Sequence, residues 1–96
     1  MQQYIIYGWD GTDENELERR MAARPSHLEH SRNWKASGNF ITGGAVLDDA
    51  GKMIGSTMIM QFDSRETLDT WLNADPYVTQ KVWQKIDIRP FKVADV

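Results

Sequence analysis

The chain has 96 residues, of which 41% are hydrophobic, and its 11 Lys and Arg against 14 Asp and Glu leave a net charge of −3. This length favours one compact domain over residues 1–96. The scattered charges argue against nucleic acid as a partner, because proteins that bind phosphate backbones usually carry a basic stripe. The absence of cysteine excludes a disulfide framework, a thiolate zinc site and a catalytic thiol. The N-terminal residues resemble neither a signal peptide nor a membrane span, so we expect a cytoplasmic protein with no membrane partner.

A buried strand opens the predicted fold. Residues 4–7 (YIIY) are β-branched or aromatic and lead into Gly8 and a loop that contains Asp10-Gly11. Such an apolar run, bounded by glycine, is typical of a strand that packs inside a sheet.

A long helix is predicted to start at Asp13. Asp13 and Glu16 resemble a capping box, and apolar residues then recur at helical spacing. Because Pro25 has no N–H and its ring collides with the preceding turn, we expect the helix to kink or restart at Arg24-Pro25. The second half is predicted to end near Ser37, before a glycine.

A β-hairpin follows, with strands over residues 40–47 and 53–62 that are joined by a turn at residues 48–52. Gly43-Gly44 interrupts the first of these strands. Glycines at such a position indicate a bulge or a close approach to the backbone.

A second helix and a last strand complete the pattern. Asp63 with Glu66 indicates another capping box, and this helix is predicted to end near residues 73–74. Apolar and polar residues alternate over residues 86–91. We expect this strand at or near an edge of the sheet, because Pro90 costs no ladder hydrogen bond there.

The element order β-α-β-β-α-β predicts a ferredoxin-like α+β fold, with a four-stranded antiparallel sheet and two helices on one face. In the first and third strands, the residues that point to one face of the sheet and those that point to the other are both largely apolar. The open face therefore exposes either Tyr4, Ile6 and Phe40 or their neighbours of opposite parity. We expect a homodimer in which two sheet faces pack together and enclose a barrel-like interior.

Two histidines lie in the segment RPSHLEH, residues 24–30. If Pro25 begins a restarted helix, His27 lies in its first turn and can act as a proton acceptor. A polar histidine at the edge of the packed face is the simpler interpretation. We expect His30 to be exposed to solvent. Two histidines supply too few ligands for a metal ion, so no metal site is predicted.

Asp75-Pro76 interrupts the second helical run. Asp followed by Pro is a favoured helix start, since Asp accepts from backbone N–H groups and Pro fits the first helical position. Capping does not exclude chemistry, because one carboxylate oxygen can cap while the other orients a histidine. The sequence leaves both interpretations open.

Four segments, in this order and at these separations, resemble the YciI-like (YCII-related) family of small bacterial proteins: RPSHLEH, GNFITGG, FDSRETLDTWLNADPYV and IRPFKV. The resemblance covers nearly the whole chain. Its most specific parts are R-P-x-H-L near residue 25, D-P-Y at residues 75–77 and R-P-F at residues 89–91. The chain departs from the family at Gly43-Gly44, where the family usually has Gly-Pro.

The resemblance implies a ferredoxin-like fold, a homodimer of the dimeric α/β-barrel kind and an active site built on a His-Asp pair. By motif, this pair maps to His27 and Asp75. Related dimeric barrels include muconolactone isomerase, and some family members are thought to act as dehydrochlorinases on chlorinated aromatic intermediates.

The favoured hypothesis is a small cofactor-free enzyme in which His27 is the general acid/base and Asp75 orients it. The reaction is then isomerisation, elimination or dehydrochlorination of a small cyclic or aromatic-derived metabolite. Arg24, Ser56 and Tyr77 are predicted to bind this substrate, Arg24 through its bidentate guanidinium. Two alternatives stay open: a non-catalytic small-molecule binding or stress-related dimeric module, and an interaction domain whose purpose is the dimer.

Overall fold

The computed structural model describes residues 1–96. Its strands and helices, in chain order, are β1 (Gln2–Asp10), α1 (Glu16–Ala36), β2 (Phe40–Leu47), β3 (Met53–Phe62), α2 (Arg65–Ala74), α3 (Pro76–Thr79) and β4 (Trp83–Phe91). None of the helices combines the length and the hydropathy needed to cross a membrane.

The four strands form one antiparallel sheet in the order β2-β3-β1-β4. This topology confirms the predicted ferredoxin-like fold. Strand β4 lies at the edge of the sheet, as its proline indicated: Pro90 pairs with Tyr4 of β1 and its other side faces no strand.

The core lies between the helices and one face of the sheet. Successive residues of a strand point to opposite faces, so Ile6 and Met60 pack inward while Ile5 and Ile59 point outward. Aromatic rings fill much of this layer. Its buried residues are Ile6, Ala23, Met58, Met60, Phe62, Leu68, Trp71, Tyr77, Val82 and Trp83.

The open face of the sheet is formed by the neighbours of Tyr4, Ile6 and Phe40, which is the second of the two predicted sets of residues. Ile6 is fully buried, and Tyr4 and Phe40 pack against the core, so these three residues do not form the open face. Their neighbours do: Ile5 and Tyr7 are half-buried on the side away from the helices.

Helix α1 is continuous, so the predicted restart at Arg24-Pro25 is wrong. Pro25 lies on the exposed side of the helix, while Arg20, Ala23 and His27 are buried on its inner side. An interior proline costs a helix about 3 kcal/mol, and the packing of the inner face outweighs this cost. His27 therefore lies in the middle of α1 and not in a first turn.

The first predicted capping box is also wrong. Helix α1 begins at Glu16 after Asn15, which makes no side-chain cap hydrogen bond. The Asp13 carboxylate instead binds the guanidinium of Arg19 at 2.8 Å. The same carboxylate also accepts from the backbone N–H of Asn15 at 3.2 Å, within the turn that precedes the helix.

Two further boundaries differ from the predictions by a few residues. Helix α2 is capped by Ser64, whose hydroxyl accepts from the backbone N–H of Thr67, and not by Asp63. Strand β4 begins at Trp83, three residues before the predicted strand, because a register shift in β1 brings Trp83 opposite Asp10.

Candidate active site

The buried face of α1 carries two polar side chains. Arg20 and His27 are separated by two helical turns, with the fully buried Ala23 between them. The side chains of residues seven apart point in nearly the same direction. The helix therefore directs a guanidinium and an imidazole into the protein.

Asp75 joins α2 to α3 and is fully buried. Its Oδ1 accepts from the backbone N–H of Tyr77 at 2.9 Å, which confirms the predicted capping role. The same Oδ1 lies 2.8 Å from Nδ1 of His27. The expectation that separate oxygens would cap and orient is thus wrong: one oxygen does both, and Oδ2 is buried without a hydrogen bond.

The contacts of His27 determine which ring nitrogen is available. A carboxylate can only accept, so the neutral ring carries its proton on Nδ1 and a lone pair on Nε2. Nε2 makes no hydrogen bond within the protein. The ring stacks on Tyr77 with centroids 3.7 Å apart and meets the edge of Trp83 at 5.8 Å. These contacts hold the imidazole in one orientation.

A buried ion pair lies beside the histidine. Nη1 of Arg20 is 3.0 and 3.1 Å from the two carboxylate oxygens of Asp10, and each side chain is only 3% exposed. Burial raises the pKa of Asp10, while the charge and hydrogen bonds of Arg20 oppose this rise. The Arg20 guanidinium also lies 4.8 Å from the ring centroid of Tyr77.

A cavity of about 130 Å³ opens between α1 and the β2-β3 hairpin. An apolar cavity of roughly 150 Å³ in another protein binds benzene, so this volume suits a molecule of about one ring. Glycine and alanine of β2 form one side. The remaining lining residues are Arg20, Arg24, His27, Leu28, Ser31, Phe40, Ser56, Met58 and Tyr77.

The predicted site residues lie together in this region. His27, Ser56 and Tyr77 line the cavity from buried positions, and Arg24 lines it from an exposed position. Asp75 does not line the cavity but holds His27 from behind. Burial raises the pKa of Tyr77, so its hydroxyl keeps its proton at neutral pH.

Three residues of the site escape prediction from the sequence: Arg20, Asp10 and Trp83. The available signal for Arg20 was its seven-residue spacing from His27, which places both on one face of a helix. No local pattern joins Trp83 to the site. No group of three His, Cys, Asp or Glu side chains is arranged to hold a metal ion.

Known proteins share this sequence pattern and this fold. A family profile described as YCII-related domain matches residues 3–92. Protein YciI of Escherichia coli is 36% identical over 95 residues, which cover 93% of this chain and 95% of that protein.

Two solved structures illustrate the shared fold. The 5-chloro-2-hydroxyhydroquinone dehydrochlorinase TftG of Burkholderia phenoliruptrix, in complex with 2,5-dihydroxybenzoquinone, matches with a TM-score of 0.82 and 23% identity over 96% of this chain and 95% of that chain. A dimeric ferredoxin-like protein from an uncultured marine organism matches with a TM-score of 0.56 and 17% identity, over 99% and 90% of the two chains.

The two histidines are expected to hold opposite tautomers. The prediction that His30 is exposed is wrong: it is half-buried, and its Nε2 lies 3.1 Å from the carbonyl oxygen of Trp71. Because a carbonyl only accepts, neutral His30 carries its proton on Nε2, whereas His27 carries it on Nδ1. Long-range proton–nitrogen NMR spectra distinguish the two ring nitrogens, and each histidine serves as a control for the other.

Asp75→Ala removes the acceptor of His27 and leaves the carbonyl that binds His30 in place. His27 is then expected to show a mixture of tautomers while His30 keeps its proton on Nε2. A neutral wild-type His27 that carries its proton on Nε2 would contradict the proposed orientation of the ring.

Proposed function

Since the chain belongs to the YCII-related domain family and holds a buried His-Asp pair beside a small cavity, we propose that it is a cofactor-free acid/base enzyme. The proposed reactions are isomerisation and elimination, including dehydrochlorination, of a small cyclic or aromatic-derived metabolite. One observation carries the proposal: Nδ1 of His27 is held 2.8 Å from Asp75 while Nε2 has no protein partner.

In the proposed first step, Nε2 of His27 takes a proton from a carbon next to a carbonyl group. The electron pair of the broken C–H bond moves onto the carbonyl oxygen, which becomes an enolate. The histidine is now an imidazolium, and the Asp75 carboxylate at 2.8 Å stabilises its charge. The pair thus supplies a base and the counter-charge of its conjugate acid.

The second step decides between the two reaction types. In an isomerisation, the enolate is conjugated with a further carbon–carbon double bond, and Nε2 of His27 returns the proton to the terminal carbon of this dienolate, which shifts the double bond. In an elimination, the carbonyl re-forms, a carbon–carbon double bond appears, and the leaving group departs from the adjacent carbon with its bonding electrons. Chloride is such a leaving group, and the proton on His27 then passes to water.

The cavity supports a planar ring as the substrate. Leu28, Phe40 and Met58 supply apolar surface, and the volume of about 130 Å³ accommodates about one six-membered ring. At its exposed position, Arg24 offers two parallel N–H donors to a carboxylate or phenolate. The dehydrochlorinase of the same fold, which is named for a chlorinated hydroxyhydroquinone, supports this class of ring.

We also propose a homodimer that forms through the open face of the sheet. Ile5, Tyr7, Trp9 and Ile59 are apolar residues on this face, and the rings of Tyr7 and Trp9 are stacked. An apolar surface on one side of a sheet favours association. A second copy packed against it would remove it from water and enclose a barrel-like interior, and the dimeric protein of the same fold supports this arrangement.

Removing the base is expected to remove turnover. Chlorinated hydroxyhydroquinones and small lactones are the substrates to screen, with chloride release and ultraviolet spectra as the readouts. His27→Ala should lower kcat by roughly 100- to 10,000-fold, the usual contribution of a general base. His30→Ala is the matched control and should leave kcat within about twofold.

Two outcomes would count against the proposed enzyme. Turnover that survives in His27→Ala would remove this residue from the mechanism. Tight binding of these ring compounds without any turnover by the wild-type protein would instead favour the non-catalytic binding module.

A charge on the open face is expected to break the dimer. Ile59→Arg places a guanidinium at the centre of the proposed interface, where it has no partner and loses its hydration. Analytical ultracentrifugation should then show a monomer, whereas wild type and the control Met21→Arg, on an exposed side chain of α1, should sediment as dimers. An Ile59→Arg protein that sediments as wild type does would contradict the interface.

A further inference from the structure

Both acceptor positions of the Ser56 hydroxyl are occupied. Nη2 of Arg20 donates to Ser56 Oγ at 2.9 Å, and the indole Nε1 of Trp83 donates to it at 3.3 Å. A guanidinium and an indole N–H only donate, and a hydroxyl oxygen has two acceptor positions. The O–H of Ser56 therefore remains as a donor, and no protein group accepts from it.

Buried groups hold this hydroxyl in place from two sides. Asp10 binds the Arg20 guanidinium through both carboxylate oxygens. On the other side, the Trp83 ring lies directly against Gly8, where any side chain would overlap it. Ser56 itself is 4% exposed and lines the same cavity as His27. The donor is thus fixed before any ligand binds.

We propose that Ser56 is the oxyanion donor of the cavity, and that its O–H binds the enolate or phenolate oxygen of a bound ring. This inference rests on the proposed function, since that oxygen gains the negative charge when His27 takes a proton. Preorganised donors aimed at developing charge contribute strongly to catalysis. Arg20 is a positioning residue: its charged hydrogen bond polarises the hydroxyl and strengthens it as a donor.

This role differs from that of a nucleophile. A nucleophilic serine needs a base that accepts its proton, and the only groups bound to Ser56 Oγ are the donors on Arg20 and Trp83. The arrangement favours a hydroxyl that keeps its proton and shares it with a negatively charged ligand.

Two one-ring probes distinguish a Ser56 that donates a hydrogen bond to the ligand from a Ser56 that only lines the cavity. 4-Nitrophenolate carries an oxyanion and nitrobenzene does not, and both bindings can be measured by calorimetry at a pH where the phenol is ionised. Ser56→Ala should weaken 4-nitrophenolate binding by roughly 10- to 100-fold, as expected for a hydrogen bond to a charged group. It should change nitrobenzene binding by less than about threefold. Ser37→Ala, an exposed hydroxyl at the end of α1, is the control and should change neither.

Loss of Ser56 also leaves Nη2 of Arg20 and Nε1 of Trp83 without an acceptor, so two further measurements guard against a folding defect. Ser56→Thr keeps the hydroxyl and should keep the preference for 4-nitrophenolate. In the unmodified protein, the indole N–H resonance of Trp83 should shift when 4-nitrophenolate binds and stay in place with nitrobenzene. A resonance that ignores both probes would overturn the proposal.

The remaining outcomes are equally decisive. Equal weakening of both probes in Ser56→Ala, or no weakening of either, would overturn the donor role, as would a wild-type protein that binds neither probe or binds both equally. Any of these results together with turnover that depends on His27 would overturn the role of Ser56 alone. A preference that depends on Ser56, in a protein that turns over no screened substrate, would instead count against the proposed function.

Discussion

The buried carboxylate of Asp75 is the group on which the rest of the site depends. Burial of a charge is costly unless hydrogen bonds and partners compensate for it. Here one oxygen accepts from the backbone N–H of Tyr77 in the first turn of α3 and also contacts Nδ1 of His27 in the middle of α1. The contacts that compensate for burial of the carboxylate therefore also bring two distant segments together and orient the imidazole.

The geometry around this carboxylate places two complementary groups in one cavity. His27 offers a free lone pair on Nε2, and Ser56 offers a proton that no protein group accepts. Tyr77 contacts the side chains of both His27 and Arg20, so the supports of the two groups share a packed ring. The proposed base and the proposed oxyanion donor thus lie in one small cavity, and proton removal next to a carbonyl requires both groups.

Local patterns in the sequence predict most of the fold. Apolar periodicity predicts the strands and helices, and Pro90 predicts the edge strand. The continuity of α1 through Pro25 could not be predicted in this way, because it depends on packing of the inner face against the sheet. The motif resemblance, together with the capping pattern at Asp75-Pro76, predicts the pair His27 and Asp75.

Local patterns in the sequence could not predict the charged cluster beside this pair, because its contacts are long-range. Arg20 binds Asp10 and Ser56, and these contacts join a helix to two different strands. Hydrogen bonds of this kind depend on the sheet register and on side-chain reach, which no short-range spacing encodes. Only the position of Arg20 on the same helix face as His27 was visible in the sequence.

The proposed function requires that Nε2 of His27 takes a proton from carbon. Deuterium exchange measures this step and does not require the natural substrate to be known. Cyclohexane-1,2-dione is a one-ring ketone with exchangeable C–H groups, and proton NMR in deuterium oxide follows the loss of their signal. The account predicts that the wild-type protein accelerates this exchange and that His27→Ala returns it to the rate in buffer. Exchange at the wild-type rate in His27→Ala would contradict the account.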